Sequence, residues 1–209
     1  ECTNVMWAAP LCYKTNVLKM IDGEIAAQKR DGSGYIAIKV NSMNDMEVMK
    51  KLVEASQTGV KIELVIRGIC CLRAGVEGLT EQITIKSIIG RYLEHSRIFC
   101  FGTGKRRQLY IGSGDLLSRN TERRVEVFVK ILKPEIQKEI MRVLNACLKD
   151  DKKGWRMNAD GRYVKVRQKK NKWKDSQQYL YDYYHALKPE QKKADKWAWI
   201  KWLRKEKRY

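Results

Sequence analysis

The stretch KIELVIRG, Lys61 to Gly68, decides how the rest of the chain is read. Its centre, IELVI, is an uninterrupted apolar run, which is what a strand covered on both faces requires. Gly68 follows as a turn residue. A strand of that kind needs helices on its flanks, so the neighbouring sequence should alternate strands with helices, and it does. Upstream, YIAIKVN (Tyr35 to Asn41) reads as a second strand. Between the two, Asp45 can cap a helix whose Met46, Met49, Leu52 and Val53 share one face and which ends at Thr58-Gly59. Earlier still, VMWAAP (Val5 to Pro10) is a short apolar strand. Lys14 to Arg30 then places Val17, Leu18, Ile21, Ile25 and Ala26 on a helical stripe ahead of the DGSG turn, Asp31 to Gly34. Helical connections of these lengths suit crossovers, which predicts mainly parallel pairing among the first three strands.

The second half changes character. ITIKSII (Ile83 to Ile89), RIFCF (Arg97 to Phe101) and QLYIGS (Gln108 to Ser113) read as strands, the last two joined as a hairpin through GTGKRR. RRVEVFVKIL (Arg123 to Leu132) is a further strand, and Pro134 suits the first position of a helix reaching about Leu148. WRMNADGRYVKV forms a hairpin around Asp160-Gly161, and Asp175 to Leu187 reads as a helix. At the end, ADKWAWIKWLRKEKRY sets Trp199, Trp202 and Leu203 near one face of a basic helix. The fold class expected is α/β, a mixed sheet flanked by helices over residues 1–148, with a basic hairpin and helical extension over 149–209.

Charge is uneven along the chain. The net charge is +19, of which residues 1–148 carry +7 and 149–209 carry +12. A polyanionic partner follows from this, although nucleic acid, polyphosphate, nucleotide and anionic membrane all fit equally. The six cysteines show neither CxxC pairs nor zinc-site spacing, and reduced thiols in a cytoplasmic protein are expected. No signal peptide, long apolar span or lipidation signal is visible, so no membrane insertion is expected. The chain begins ECTNVM rather than with methionine, which suggests a piece of a longer protein.

Three places can hold an anion. Arg67 stands at the carboxyl end of its strand, where open α/β sheets gather ligands, and its guanidinium offers a planar fork of donors; a pairing with a helix carboxylate is the alternative. YIGSGDLLSRNTERRVE brings Gly112, Ser113 and Gly114, which would let backbone N–H groups approach an anion, close to Arg119, Arg123 and Arg124. His95, one of two histidines, stands among charges in RYLEHSRIFCF, Arg91 to Phe101, either as a working imidazole or as a strand-edge residue.

Taken in order, VIRGICCLRAGVEGL, SIIGRYLEHSRIFCFGTG, YIGSGDLLSRN and RRVEV closely resemble the C-terminal region of bacterial polyphosphate kinases. The likeness runs from about Val5 to Leu148 and continues more faintly through WRMNADGRYVKV. It implies a phospholipase-D-like fold, the second of two such domains that face each other over a tunnel-like site. It also implies reversible transfer of the terminal phosphate of ATP to inorganic polyphosphate through a phosphohistidine, with magnesium. By position in the matching motifs, Arg67 and His95 correspond to residues that contact nucleotide phosphates, and Arg124 and Glu126 to further active-site positions; Glu126 can orient a guanidinium, or the two can be a structural ion pair. The phosphorylated histidine, a tyrosine contact to the nucleotide and the magnesium-linked arginines belong to the preceding catalytic domain. This chain is therefore expected to be inactive alone, with magnesium ligands mainly outside it and a homo-oligomer as the parent's state. His185 lies outside every matching motif. Against phospholipase D itself, His95-Ser96-Arg97 echoes HxK but lacks the downstream aspartate, which argues against lipid hydrolysis. The alternative function is a basic module that binds nucleic acid or polyphosphate through the Lys/Trp-rich tail.

Overall fold

The computed structural model describes residues 3–166 and 174–187. Along the chain run β1 (Met6–Ala9), α1 (Tyr13–Asp31), β2 (Tyr35–Val40), α2 (Met46–Gln57), β3 (Lys61–Ile66), β4 (Ile83–Ile88), β5 (Arg97–Phe101), β6 (Gln108–Gly112), α3 (Ser118–Glu122), β7 (Glu126–Lys130), α4 (Pro134–Lys149), β8 (Gly154–Met157), β9 (Tyr163–Lys165) and α5 (Ser176–Ala186). The strands form one mixed sheet in the order β1-β7-β6-β5-β2-β3-β4-β8-β9. β2, β3 and β4 are parallel neighbours, with Tyr35 opposite Lys61 and Ile62 opposite Ile83. The remaining pairs are antiparallel.

Helices cover both faces, as the apolar run of β3 requires. On one face α1 and α2 bury Val17, Ile21, Val48 and Leu52 against Ile36, Ile38, Leu64 and Phe99. Tyr13 stacks on Phe128 with ring centroids 4.1 Å apart, and Phe99 meets Phe128 edge-on. On the other face α4 closes a smaller core of Ala37, Ile98, Cys100 and Leu109 through Met141 and Leu144. Asp45 caps α2 as expected, accepting from the N–H groups of Glu47 and Val48.

Four expectations need correction. β1 is not a parallel neighbour of β2: it lies at the sheet edge, antiparallel to β7, because α1 carries the chain past the intervening strand positions. The α1 stripe turns Ala26 outward and buries Glu24 instead, since Arg106 grips both carboxylate oxygens and the N–H of Tyr35 donates to it. RRVEVFVKIL is strand only from Glu126 to Lys130; Arg123 and Arg124 form a turn whose N–H groups return to the carbonyl of Arg119. Cys12 is disulfide-bonded rather than a free thiol, whereas Cys70, Cys71, Cys100 and Cys147 are free. The hairpin of β8 and β9 continues the sheet beyond β4. The basic helix around Trp199, Trp202 and Leu203 lies outside the described residues. Among those described, no helix is long and apolar enough to cross a membrane.

Candidate functional site

β2, β3 and β6 end, and β5 and β7 begin, at the same end of the sheet, so five short segments deliver polar side chains to one place. Asn41 follows β2, Arg67 follows β3, Glu94 to Arg97 lead into β5, Ser113 to Asp115 follow β6, and Glu126 opens β7. The close approach of the first two loops depends on Gly68. A Cβ there would sit 2.6 Å from the hydroxyl of Ser42 and 2.9 Å from the carbonyl of Asn41.

Arg67 is held from its inner side. Its Nε donates to Asn41 Oδ1 at 2.7 Å and to the carbonyl of Glu94 at 3.0 Å. Among the described residues its two terminal nitrogens donate to no protein acceptor, which leaves the outer edge of the fork open to an anion. Asn41 in turn donates through its backbone N–H and its side chain to Asp115 Oδ1, at 2.7 and 3.0 Å. Asp115 also receives Nε and Nη2 of Arg97, at 3.2 and 3.3 Å. The remaining nitrogen of Arg97 meets His95, 2.9 Å from Nδ1 and 2.9 Å from the carbonyl oxygen. The same nitrogen also lies 3.3 Å from Nε2, so the imidazole sits edge-on against the guanidinium, which can only donate to it. The histidine is exposed and its ring is the outer end of a chain running Arg67, Asn41, Asp115, Arg97, His95.

A second set of bonds fixes the segment from below. Lys39, fully buried in β2, places Nζ 3.2 Å from Glu94 Oε2 and donates to the hydroxyl and carbonyl of Ser96 at 3.0 and 3.2 Å. Gln177 of α5 donates to Glu94 Oε1, and the thiol of Cys147 on α4 lies 3.8 Å from Oε2. Burial, and then the Glu94 carboxylate, push the Cys147 thiol up to about 12 from its ordinary 9.0. Folding therefore favours the protonated thiol. Its contribution to stability is complete below about pH 9 and is lost as pH rises toward 12, because there the unfolded chain releases a proton that the folded chain keeps. Melting temperatures measured from pH 8 to 10.5 should fall less steeply for Cys147→Ala than for the unmodified chain; parallel slopes would contradict this.

Arg124 and Glu126 meet, though not by the strand alternation expected, since Arg124 lies in the turn before β7. Its Nε is 3.5 Å from Glu126 Oε1, with Arg124 largely exposed and Glu126 buried. Glu126 is gripped further by the hydroxyl of Ser113 at 2.5 Å and the amide of Asn120 at 2.6 Å. At Gly112 packing also requires the missing side chain, since a Cβ there would fall 2.2 Å from the ring of Phe128. The fold thus brings Arg67 and His95 into one network and sets Arg124 and Glu126 across Ser113 from it. His185 is elsewhere, its ring beside Tyr181 on α5.

Lys39, Asn41, Glu94, Arg97 and Asp115 were not singled out by sequence reasoning. The signals were slight: a polar residue directly after a strand in YIAIKVN and in IGSGD, and a lysine inside an otherwise apolar strand. The described residues do not fit a magnesium site. Asp115, Glu126 and Glu94 are each taken up by a cation and by amide or hydroxyl donors, and no group of three or more His, Cys, Asp or Glu side chains is suitably arranged.

Comparison with known proteins now bears on this geometry. Residues 6–177 match the family model described as polyphosphate kinase C-terminal domain 2. The polyphosphate kinase of Synechocystis sp. is 43% identical over 159 residues, 76% of this chain and 22% of that protein. That of Helicobacter pylori strain 26695 is 43% identical over 161 residues, 77% of this chain and 23% of that protein. The chain thus spans less than a quarter of the length of these relatives. The crystal structure of the Porphyromonas gingivalis polyphosphate kinase superposes with a TM-score of 0.84 at 30% identity, covering 88% of this chain and 28% of that one. Nuc of Salmonella typhimurium, a phospholipase D family member, shares the fold with a TM-score of 0.53 at 16% identity, over 77% of this chain and 96% of that one. A phospholipase-D-like mixed sheet, the four ordered motifs and a family match across most of the chain lead to one conclusion: the protein belongs to the polyphosphate kinase C-terminal domain 2 family.

Proposed function

We propose that this chain is the nucleotide-side half of a polyphosphate kinase active site and contributes phosphate contacts to the reversible transfer of the terminal phosphate of ATP to inorganic polyphosphate. The observation that carries the reading is the state of Arg67: Nε anchored on Asn41 and Glu94, both terminal nitrogens unused among the described residues, at the carboxyl end of a buried strand. Phosphoryl transfer asks chiefly for positioning and for donors aimed where charge gathers. Arg67 grips phosphate oxygens; His95, its ring held by Arg97, offers a hydrogen bond or a proton to the entering or departing phosphate. Arg124, exposed beside a buried carboxylate, supplies a further cation, with Glu126 holding its guanidinium.

Residues 1–148 act as the second phospholipase-D-like domain and 149–209 as its basic extension. The phosphate-accepting histidine and the magnesium ligands lie in the preceding catalytic domain of the parent chain, a cytoplasmic homo-oligomer. Support for a facing partner comes from the loops around the site, where Ile69, Ile89 and Leu93 are each more than 60% exposed.

The competing reading, a basic module acting through its tail, makes the opposite forecast for nucleotide. Titration of ATP into the chain should show Arg67→Ala, His95→Ala binding at least about tenfold more weakly, since a hydrogen bond to a charged group is worth about 1.5–3 kcal/mol. Deleting residues 188–209 should leave that affinity nearly unchanged. The reverse pattern would establish the tail module instead.

A further inference from the structure

Away from this site, on the α4 face of the sheet, lies a cleft of about 980 Å³ between α4 and α5. Six of its lining residues are cations: Arg107, Lys138, Arg142, Lys149, Lys152 and Lys174. Asp175 and Asp182 are its two carboxylates. Asp175 is engaged by Lys152 and Lys153 and by the N-terminus of α5, and Asp182 accepts from Gln178. Arg142 is tied to Glu139, to the hydroxyl of Tyr179 and to the ring of Tyr183. Among the described residues the side chains of Arg107, Lys138, Lys149 and Lys174 have no carboxylate partner. Arg107 adds a second observation: its Nε is shut off from solvent without a hydrogen-bond acceptor.

Three of the cations, with an asparagine between the second and third, are arranged in a line. Lys138, Arg142, Asn145 and Lys149 fall at intervals of four, three and four residues, which is one face of α4, and they span about 16 Å at 1.5 Å per residue. The line has a direction. Its Lys149 end follows Cys147, whose thiol touches the Glu94 next to His95. Its other end reaches Arg107, in the β5–β6 connection at the far end of the sheet. A row of point charges suits a linear polyanion of repeating charge. Single-stranded nucleic acid calls besides for a succession of stacking faces, yet among the described residues lining the cleft Tyr179 is the one aromatic.

We infer that the α4–α5 cleft is a track that holds an inorganic polyphosphate chain outside the catalytic site and leads it away along α4. This rests on the functional reading above and assigns that reading's polymer a second binding surface. The test measures binding of long-chain polyphosphate and of inorganic triphosphate to the full chain across a range of salt. Lys138→Gln, Lys149→Gln should weaken long-chain binding at least about tenfold and lower the slope of log K against log salt by between about one and two, since each phosphate that a lysine ceases to neutralise removes about one unit. Triphosphate binding and melting temperature should be unaffected, both side chains being exposed. Lys138→Arg, Lys149→Arg should bind as the unmodified chain does. Equal long-chain binding by the Gln variant, in a protein whose ATP affinity still depends on Arg67 and His95, overturns the track and leaves the functional reading standing. Failure of the unmodified chain to bind polyphosphate overturns both. Competition by single-stranded RNA at the cleft as strong as that by polyphosphate overturns the choice of polymer.

Discussion

Replacing His95 with alanine in the full-length parent enzyme should lower kcat and kcat/KM together by about 10²–10³-fold, roughly 3–4 kcal/mol of lost transition-state stabilisation. Arg67→Ala should do the same. On the proposed function both residues meet phosphate oxygens whose charge changes during transfer, so their loss should be felt in the chemical step and not merely in substrate affinity. Formation of phosphohistidine elsewhere in the parent should slow in parallel. His185→Ala is the control, expected to be nearly silent because that ring packs on Tyr181, away from the network. An His95→Ala enzyme with unchanged kinetics and a lower melting temperature would return His95 to the role of a strand-edge residue.

The second large effect is on stability. Asp115 is the hub of the site: it is buried and receives two donors from Asn41 and two from Arg97, whose side chain is itself only 12% exposed. Removing one partner of such a pair strands the other in a poorly solvated place, which costs about 3–5 kcal/mol. Asp115→Ala should therefore shift the urea midpoint sharply downward. Asp115→Asn, which keeps an acceptor for the N–H of Asn41 but leaves Arg97 unneutralised, should fall between. A loss below about 1 kcal/mol for Asp115→Ala, the scale of a solvated surface pair, would show that His95 is held by other means.

How far the sequence discloses this arrangement depends on the kind of signal. β2 and β3 are legible because a strand buried on both faces must be apolar throughout, and α2 is legible because Asp45 is a local cap followed by an apolar stripe. The place of β1 is not, since sequence proximity to α1 says nothing of which sheet edge the chain returns to; β1 finds its partner far along the chain, where Met6 pairs with Val129. The short reach of β7 is hidden for another reason. RRVEVFVKIL alternates well enough to suggest a strand throughout, and the turn that consumes Arg123 and Arg124 is imposed by their bonds to Arg119. In the site, Arg67 and His95 are visible through ordered motifs, whereas Asn41, Asp115 and Arg97 matter through one another. Asp115 is separated from Asn41 by 74 positions, and no local pattern marks such a pair. Lys39 is subtler: a lysine in an apolar strand reads as an edge position until Glu94 and Ser96 are seen to enclose it.

The central claim is a division of labour, with phosphate contacts in this chain and the phosphate-accepting histidine in the domain before it. Mapping the phosphorylated residue in the full-length parent after brief reaction with labelled ATP tests that most directly. The account predicts acid-labile label on a histidine outside these 209 residues, and none on this chain when it is incubated with ATP by itself. Label recovered on His95 would contradict it and make this domain the acceptor.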